Sequence, residues 1–182
     1  MTLLLSALTD QDTAAKLLQA GELVAVPTET VYGLAADASN PQAVAKIFVA
    51  KGRPANHPLI VHIGDLAQLS SWARDIPAQA LLLAKAFWPG PLTLLLAKAD
   101  NVSPVVTGGK DSIGIRMPAH PVLLALLQQT GLAVAAPSAN PYKKLSPTSA
   151  LQVKAGLEGR IAAVLDGGDC SVGLESTSVD LT

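Results

Sequence analysis

Short apolar runs of strand character alternate with capped helical stretches along almost the whole chain, and that alternation points to an α/β fold. The first helix is predicted over residues 9–20, with Thr9 as cap, Asp12 three positions on and Gly21 as the stop. A β-run at 23–26 ends at Pro27, and the polar cluster Thr28, Glu29, Thr30 leads into Val31, Tyr32, Gly33 and Leu34. A second helix, 40–51, has Asn40 as N-cap, Pro41 at its first position and Gly52 beyond its end. Strand 58–63 and helix 76–87 follow, and Trp88-Pro89-Gly90-Pro91 forces a turn before strand 92–97. The remaining elements are strand 112–117, helix 121–129 closed by Gly131, strand 132–136, a helix start at Ser146-Pro147-Thr148, strand 162–165 and a last strand within 173–180.

The 182 residues are 49% hydrophobic, enough for one domain over 1–182 with a substantial core. A net charge of −1 and 3% aromatic residues argue against a general nucleic-acid surface, which needs many cations and usually stacking rings. The single cysteine, Cys170, rules out an internal disulfide framework and any CxxC site, which suits a reducing cytoplasm. The N-terminus lacks a basic start, and no apolar run approaches the roughly 18 residues of a membrane span, so a soluble, untargeted, cytoplasmic protein is expected. GxxxxGK[ST], GxGxxG and HExxH are all missing, and the three histidines have no metal-ligand spacing.

Several residues nonetheless carry chemistry. Lys51 and Arg53 stand two residues apart where a helix ends, and Pro54 pushes Arg53 towards extended backbone, so both cations can face one anion. A lysine in a last helical turn is also a plain dipole partner, and an arginine before proline a plain loop residue. His62 lies within an apolar run and needs a polar partner. Alternation along 112–117 sets Ile113, Ile115 and Met117 against Ser112, Gly114 and Arg116. Arg116 therefore either forms a salt bridge or awaits a carboxylate or phosphate, with Gly114 leaving room for a ligand. Thr28 and Glu29 read as caps of the following turn, while the Tyr32-Gly33 pair beside them can instead wall a pocket. Ser138 and Asn140 share a side if extended, or else bond their own backbone in a turn. Ser146 at a helix start is a cap or an anion site. Trp88, among prolines and leucines, reads as a core plug.

Seven blocks in order, PTETVYGL at 27–34, KGRP with PLIVHI at 51–63, FWPGPLT at 87–93, IGIRMP at 113–118, APSAN at 136–140, SPT at 146–148, and DGG with GLEST near the end, together resemble the YrdC family. That resemblance implies an α/β domain with a twisted mixed sheet and helices around a large, positively lined cavity. It also implies an L-threonylcarbamoyladenylate synthase, which joins L-threonine, bicarbonate and ATP and releases pyrophosphate, the first stage of threonylcarbamoyladenosine formation in tRNA. Lys51, Arg53, Ser138 and Asn140 match the family's KxR and SxN signature around the nucleotide, which implies a catalytic and ATP-binding role for all four. Arg53, His57, Ser112, Ser138 and Ser146 match ATP-contacting positions, and Tyr32, His62, Arg116, Ala136 and Ser176 match threonine-holding ones. Mg²⁺ riding on the phosphates, a downstream transferase complex that takes the product, and possible tRNA contact are implied as well. Ser178 departs from the family's usual aliphatic residue, and a further strand with an Arg-x-Gly element is expected past Thr182. Two other readings share the fold: a double-stranded RNA or ribosome-binding module, and a carbamoyl-adenylating domain of the hydrogenase-maturation type, whose relatives carry zinc motifs not found here.

Overall fold

Val24, Ala25 and Val26 send alternate side chains to opposite sides of one sheet, and all three are buried, so the run is apolar without interruption. The computed structural model describes residues 1–182. In chain order the strands are β1 Leu3–Ser6, β2 Val24–Val26, β3 Gly33–Asp37, β4 Ile60–His62, β5 Ala73–Arg74, β6 Leu92–Lys98, β7 Ser112–Arg116, β8 Val134–Ala135, β9 Ala163–Asp166 and β10 Thr177–Asp180. The helices are α1 Gln11–Gln19, α2 Pro41–Lys51, the single turn α3 Leu69–Trp72, α4 Ala78–Phe87, the short α5 Pro104–Thr107, α6 Pro121–Thr130 and α7 Ala150–Leu157. The sheet runs β1-β9-β2-β3-β8-β4-β7-β6-β10, with β5 on β6, and mixes parallel pairs such as β4 with β7 and antiparallel ones such as β6 with β7. The expected mixed α/β sheet is therefore present.

Its two faces carry two cores. Ala14 and Leu18 of α1 and Leu123, Leu126 and Leu127 of α6 pack with Val24, Val26, Ala35 and Val134 on one side. Leu34, Ala36, Val61, Leu94, Ile113 and Ile115 meet Val44, Ile47 and Phe48 of α2 on the other. Asn40 caps α2 as its side-chain oxygen accepts from the amides of Gln42 (3.1 Å) and Ala43 (3.2 Å), and Gly52 closes the helix at φ 67°. Trp88 is a partly buried core residue whose indole donates to the Leu92 carbonyl at 2.7 Å. No helix is long and apolar enough to cross a membrane.

Boundaries shift where a local turn wins. α1 begins at Gln11 because the amides of Thr9 and Asp10 already bond the Ser6 carbonyl, and the Asp10 carboxylate accepts from the Ser6 amide. Thr9 is thus no cap. Pro58 cannot donate to a ladder and Leu59 bonds Val106, so β4 starts only at Ile60. Pro77 is extended, with ψ 157°, and delays α4 to Ala78. The helix expected from Ser146 starts instead at Ala150, with Ser149 as N-cap accepting from the Gln152 amide at 3.3 Å.

Gly64 follows β4 where the sheet meets α6, and a Cβ there would sit 2.8 Å from the Leu127 Cβ and 2.9 Å from the Gln128 amide nitrogen. Backbone cannot yield as a flexible side chain does. Gly64→Ala is expected to lower unfolding stability by about 1–3 kcal/mol, measured by urea denaturation, with an unchanged midpoint overturning this packing account.

Candidate active site

The parallel register of β4 and β7 places His62 beside Arg116 and Ile60 beside Gly114, so one face of each strand feeds a single recess. The recess holds about 270 Å³. The Thr28–Val31 loop, Arg53, Ala136, Pro137 and Ser138 wall it on one side, and Glu175 with Ser176 reaches it from the loop before β10. Two guanidiniums and one carboxylate line it, so the recess is smaller and less uniformly positive than the large cavity expected.

Arg116 is buried and its fork is partly spent. Its Nε donates to the Gly90 carbonyl (3.2 Å), Nη1 to Thr30 Oγ1 (3.1 Å) and Nη2 to Glu29 Oε1. A guanidinium has five N–H donors, which leaves one on each terminal nitrogen. Burial pulls its pKa down while the Glu29 carboxylate pushes it back up, so the ion pair keeps the charge. The salt bridge foreseen as one alternative is formed, yet the residue still lines the recess. His62 next to it is neutral. Burial and the Arg116 charge push its pKa down to about 3, and its Nδ1 lies 3.2 Å from the Ile60 carbonyl.

Lys51 corrects the expectation of a free cation at a polar helix exit. It is 3% exposed, and its Nζ donates to the carbonyls of Ser138 and Asn140, the latter at 2.6 Å. It is absent from the recess lining and acts as a staple for the turn that carries Ser138. Burial, and then the charge of Arg53, push its pKa down to about 8. Arg53 does reach the recess. Its Nη2 donates to the Pro58 carbonyl at 3.0 Å, while its Nε is buried without a hydrogen-bond partner.

Other residues separate in the same way. Ser138, Ala136, His62, Arg116 and Ser176 line the recess, and the Ser176 hydroxyl pairs with Thr93 Oγ1 at 2.9 Å. Tyr32 does not, because its ring is wholly buried and its hydroxyl donates to the Gly168 carbonyl (2.7 Å) and accepts from the Gly167 amide (3.1 Å). Burial pushes that phenol up to about 12. Asn140 faces its own turn, donating to the carbonyls of Pro141 and Lys144, with its Oδ1 buried and unpaired. His57 packs edge-on against Tyr142, and Ser112, paired with Ala97 on the sheet, also stands away from the recess. Gly114 makes room for neighbours rather than for a ligand, since a Cβ there would meet Thr93 at 3.3 Å and Ile60 at 3.4 Å. Ser146, away from any helix start, donates to Glu175 Oε1 at 2.5 Å.

Glu29 and Glu175 were not singled out from sequence as site residues. The signal for Glu29 was present, since an arginine facing inward on a buried strand demands a carboxylate, and Thr28-Glu29-Thr30 offers one. Glu175 had no comparable local signal. No three His, Cys, Asp or Glu residues cluster as a metal site, and one exposed carboxylate in the recess is a poor Mg²⁺ cage, so the residues present do not fit an ion held by the protein itself.

The Sua5_yciO_yrdC family model, described as "Telomere recombination", matches residues 16–182. Two relatives, each called threonylcarbamoyl-AMP synthase, are similar over most of the chain: one from Pyrococcus abyssi, 52% identical over 169 residues, and one from Bacillus subtilis, 54% identical over 165. These matches cover 93% and 90% of this chain but 50% and 48% of the relatives, so the chain spans about half the length of the curated proteins it matches. Among solved structures, P. abyssi Sua5 in complex with L-threonine superposes with a TM-score of 0.94 at 47% identity, covering 100% of this chain and 54% of that one. A double variant of the same protein gives a TM-score of 0.97 at 48% identity, with the same coverage.

Lys51→Ala should strip two carbonyls of their donor and cost about 1–3 kcal/mol of stability, read by urea denaturation. The folded state releases the Lys51 proton near pH 8 and the unfolded chain near 10.5, so between those values the unfolded state binds more protons. Lys51 should therefore make unfolding stability rise with pH across that window, by of order 1–3 kcal/mol, relative to the variant. Parallel pH profiles of the two proteins would contradict this.

Proposed function

This chain belongs to the Sua5/YciO/YrdC family, and on that premise we propose that it joins L-threonine, bicarbonate and ATP into threonylcarbamoyl-AMP, releasing pyrophosphate and water. The threonine amine attacks the carbon of bicarbonate-derived CO₂ and loses a proton, which gives a carbamate. A carbamate oxygen then attacks the α-phosphorus of ATP, and the bond to the bridging oxygen breaks as pyrophosphate leaves. No protein nucleophile is needed.

The observation that carries this reading is the pair of incompletely spent guanidiniums in one recess. Arg116, with an N–H free on each terminal nitrogen, suits a carboxylate, and Arg53, which lines the recess and spends one donor on the Pro58 carbonyl, suits phosphate. Ser138 and Ser176 add neutral donors at the same recess. Neutral His62 adds no competing charge. The residues position the reactants and offset the charge that develops on the phosphoryl oxygens, which is where most of the acceleration in phosphoryl transfer arises. Any Mg²⁺ that arrives with ATP would supply charge neutralisation from the phosphates themselves. The product is a reactive mixed anhydride, suited to a group transfer, and with this reading goes a separate transferase complex acting on tRNA, in the cytoplasm, as its consumer.

Pyrophosphate release with ATP, omitting threonine and bicarbonate in turn, tests the proposal, and release independent of either would overturn it. Arg116→Ala should weaken threonine binding by on the order of 2–4 kcal/mol. The same change strands the Glu29 carboxylate and should cost about 3 kcal/mol of stability. Threonine titration beside a thermal melt checks both, and unchanged threonine affinity with collapsed ATP affinity would sink the role given to Arg116.

A further inference from the structure

Glu29 has no assigned part in the reaction, yet it is 9% exposed and both its carboxylate oxygens are engaged. Oε1 accepts from Arg116 Nη2 and Oε2 from the Ala119 amide at 2.8 Å, so the carboxylate cannot swing away without breaking two bonds. Thr30 Oγ1 and the Gly90 carbonyl take two more Arg116 donors, and together the three partners define one orientation of the fork. They also decide which donors remain for a ligand. The recess therefore presents a planar, two-pronged donor whose positive charge is already offset by a carboxylate behind it.

We propose that Glu29 is a specificity-determining positioning residue, which aims Arg116 and offsets its charge so that the site accepts the single charge of an amino-acid carboxylate and disfavours a dianion. This rests on the threonine reading above. A bare guanidinium binds phosphate as readily as carboxylate, often bidentately in both cases. A fixed negative charge behind it disfavours the second negative charge of a phosphate-like group more than the first. Such selectivity has a purpose in a recess that must also admit a triphosphate: it keeps phosphate oxygens off Arg116 and leaves them to Arg53.

The probe is (1-amino-2-hydroxypropyl)phosphonic acid, which is threonine with phosphonate in place of carboxylate. Calorimetric titration of the chain without ATP, at a pH where the phosphonate is a dianion, should show threonine binding at least roughly tenfold more tightly than the phosphonate. Glu29→Gln keeps the shape and removes the charge. In that variant the ratio of the two affinities should shrink by at least roughly tenfold, whereas Glu29→Asp should keep most of it. A purely structural Glu29 would weaken both ligands alike and leave the ratio unmoved, which would overturn the proposal. Equal affinity for the two ligands in the unaltered protein would overturn it too, and needs no variant to fold. If the unaltered protein binds neither ligand, the threonine reading falls and this inference falls with it. If threonine binds and the ratio fails to move, only the role of Glu29 is lost.

Discussion

A carboxylate buried as deeply as that of Glu29 costs several kcal/mol unless both its oxygens find donors, and the arrangement of the recess follows from how that demand is met. One oxygen fixes the end of β7 through Arg116 and the other fixes the chain just beyond it through the Ala119 amide. The backbone of the same loop takes up the strand-free segment that carries Glu175 and Ser176, since the Glu29 carbonyl accepts from the Val172 amide and the Thr30 carbonyl from that of Gly173. Two segments distant in sequence therefore meet at one loop. Within the loop, Thr28 Oγ1 accepts from the amides of Thr30 and Val31 and donates to the Val31 carbonyl, which holds the turn without help from a ligand.

Lys51 does behind Ser138 what Glu29 does behind Arg116. Each is a buried charge bonded to the protein itself, and each presents a neighbour to the recess: Arg116 in one case, Ser138 in the other. The groups that face the recess are thus backed by buried charges held by the protein's own hydrogen bonds. Such preorganisation keeps donors aimed before a substrate arrives, so little reorganisation is needed during the reaction.

Much of the fold was legible because its signals are local. Asn40, Pro41 and Gly52 delimit α2 from within a dozen residues, and the alternation through 112–117 separates Ile113 and Ile115 from Arg116 whatever lies opposite. Site residues were legible as types but not as roles. Whether Lys51 meets solvent, a phosphate or a carbonyl depends on the Ser138–Asn140 turn, 87 residues away in sequence. Tyr32 reads as a pocket wall until the Gly167–Gly168 turn, 135 residues on, occupies its hydroxyl. The Arg116 partner was open between ligand and salt bridge because sequence alone does not say which loop crosses the end of β7. Ser146 misled for a nearer reason, since a Ser-Pro-Thr start competes with Ser149 three residues later, and the later cap wins.

The sheet described above is covered on both sides, with α1 and α6 on one face and α2 on the other. A two-sided sandwich leaves no flat surface on which a new function could begin without dismantling a core. Strand ends and the loops that join them are where side chains can change without altering packed volume. The scaffold is in that sense robust and its chemistry evolvable. Both properties trace to strands so short that a few alternating apolar residues suffice to seal each face.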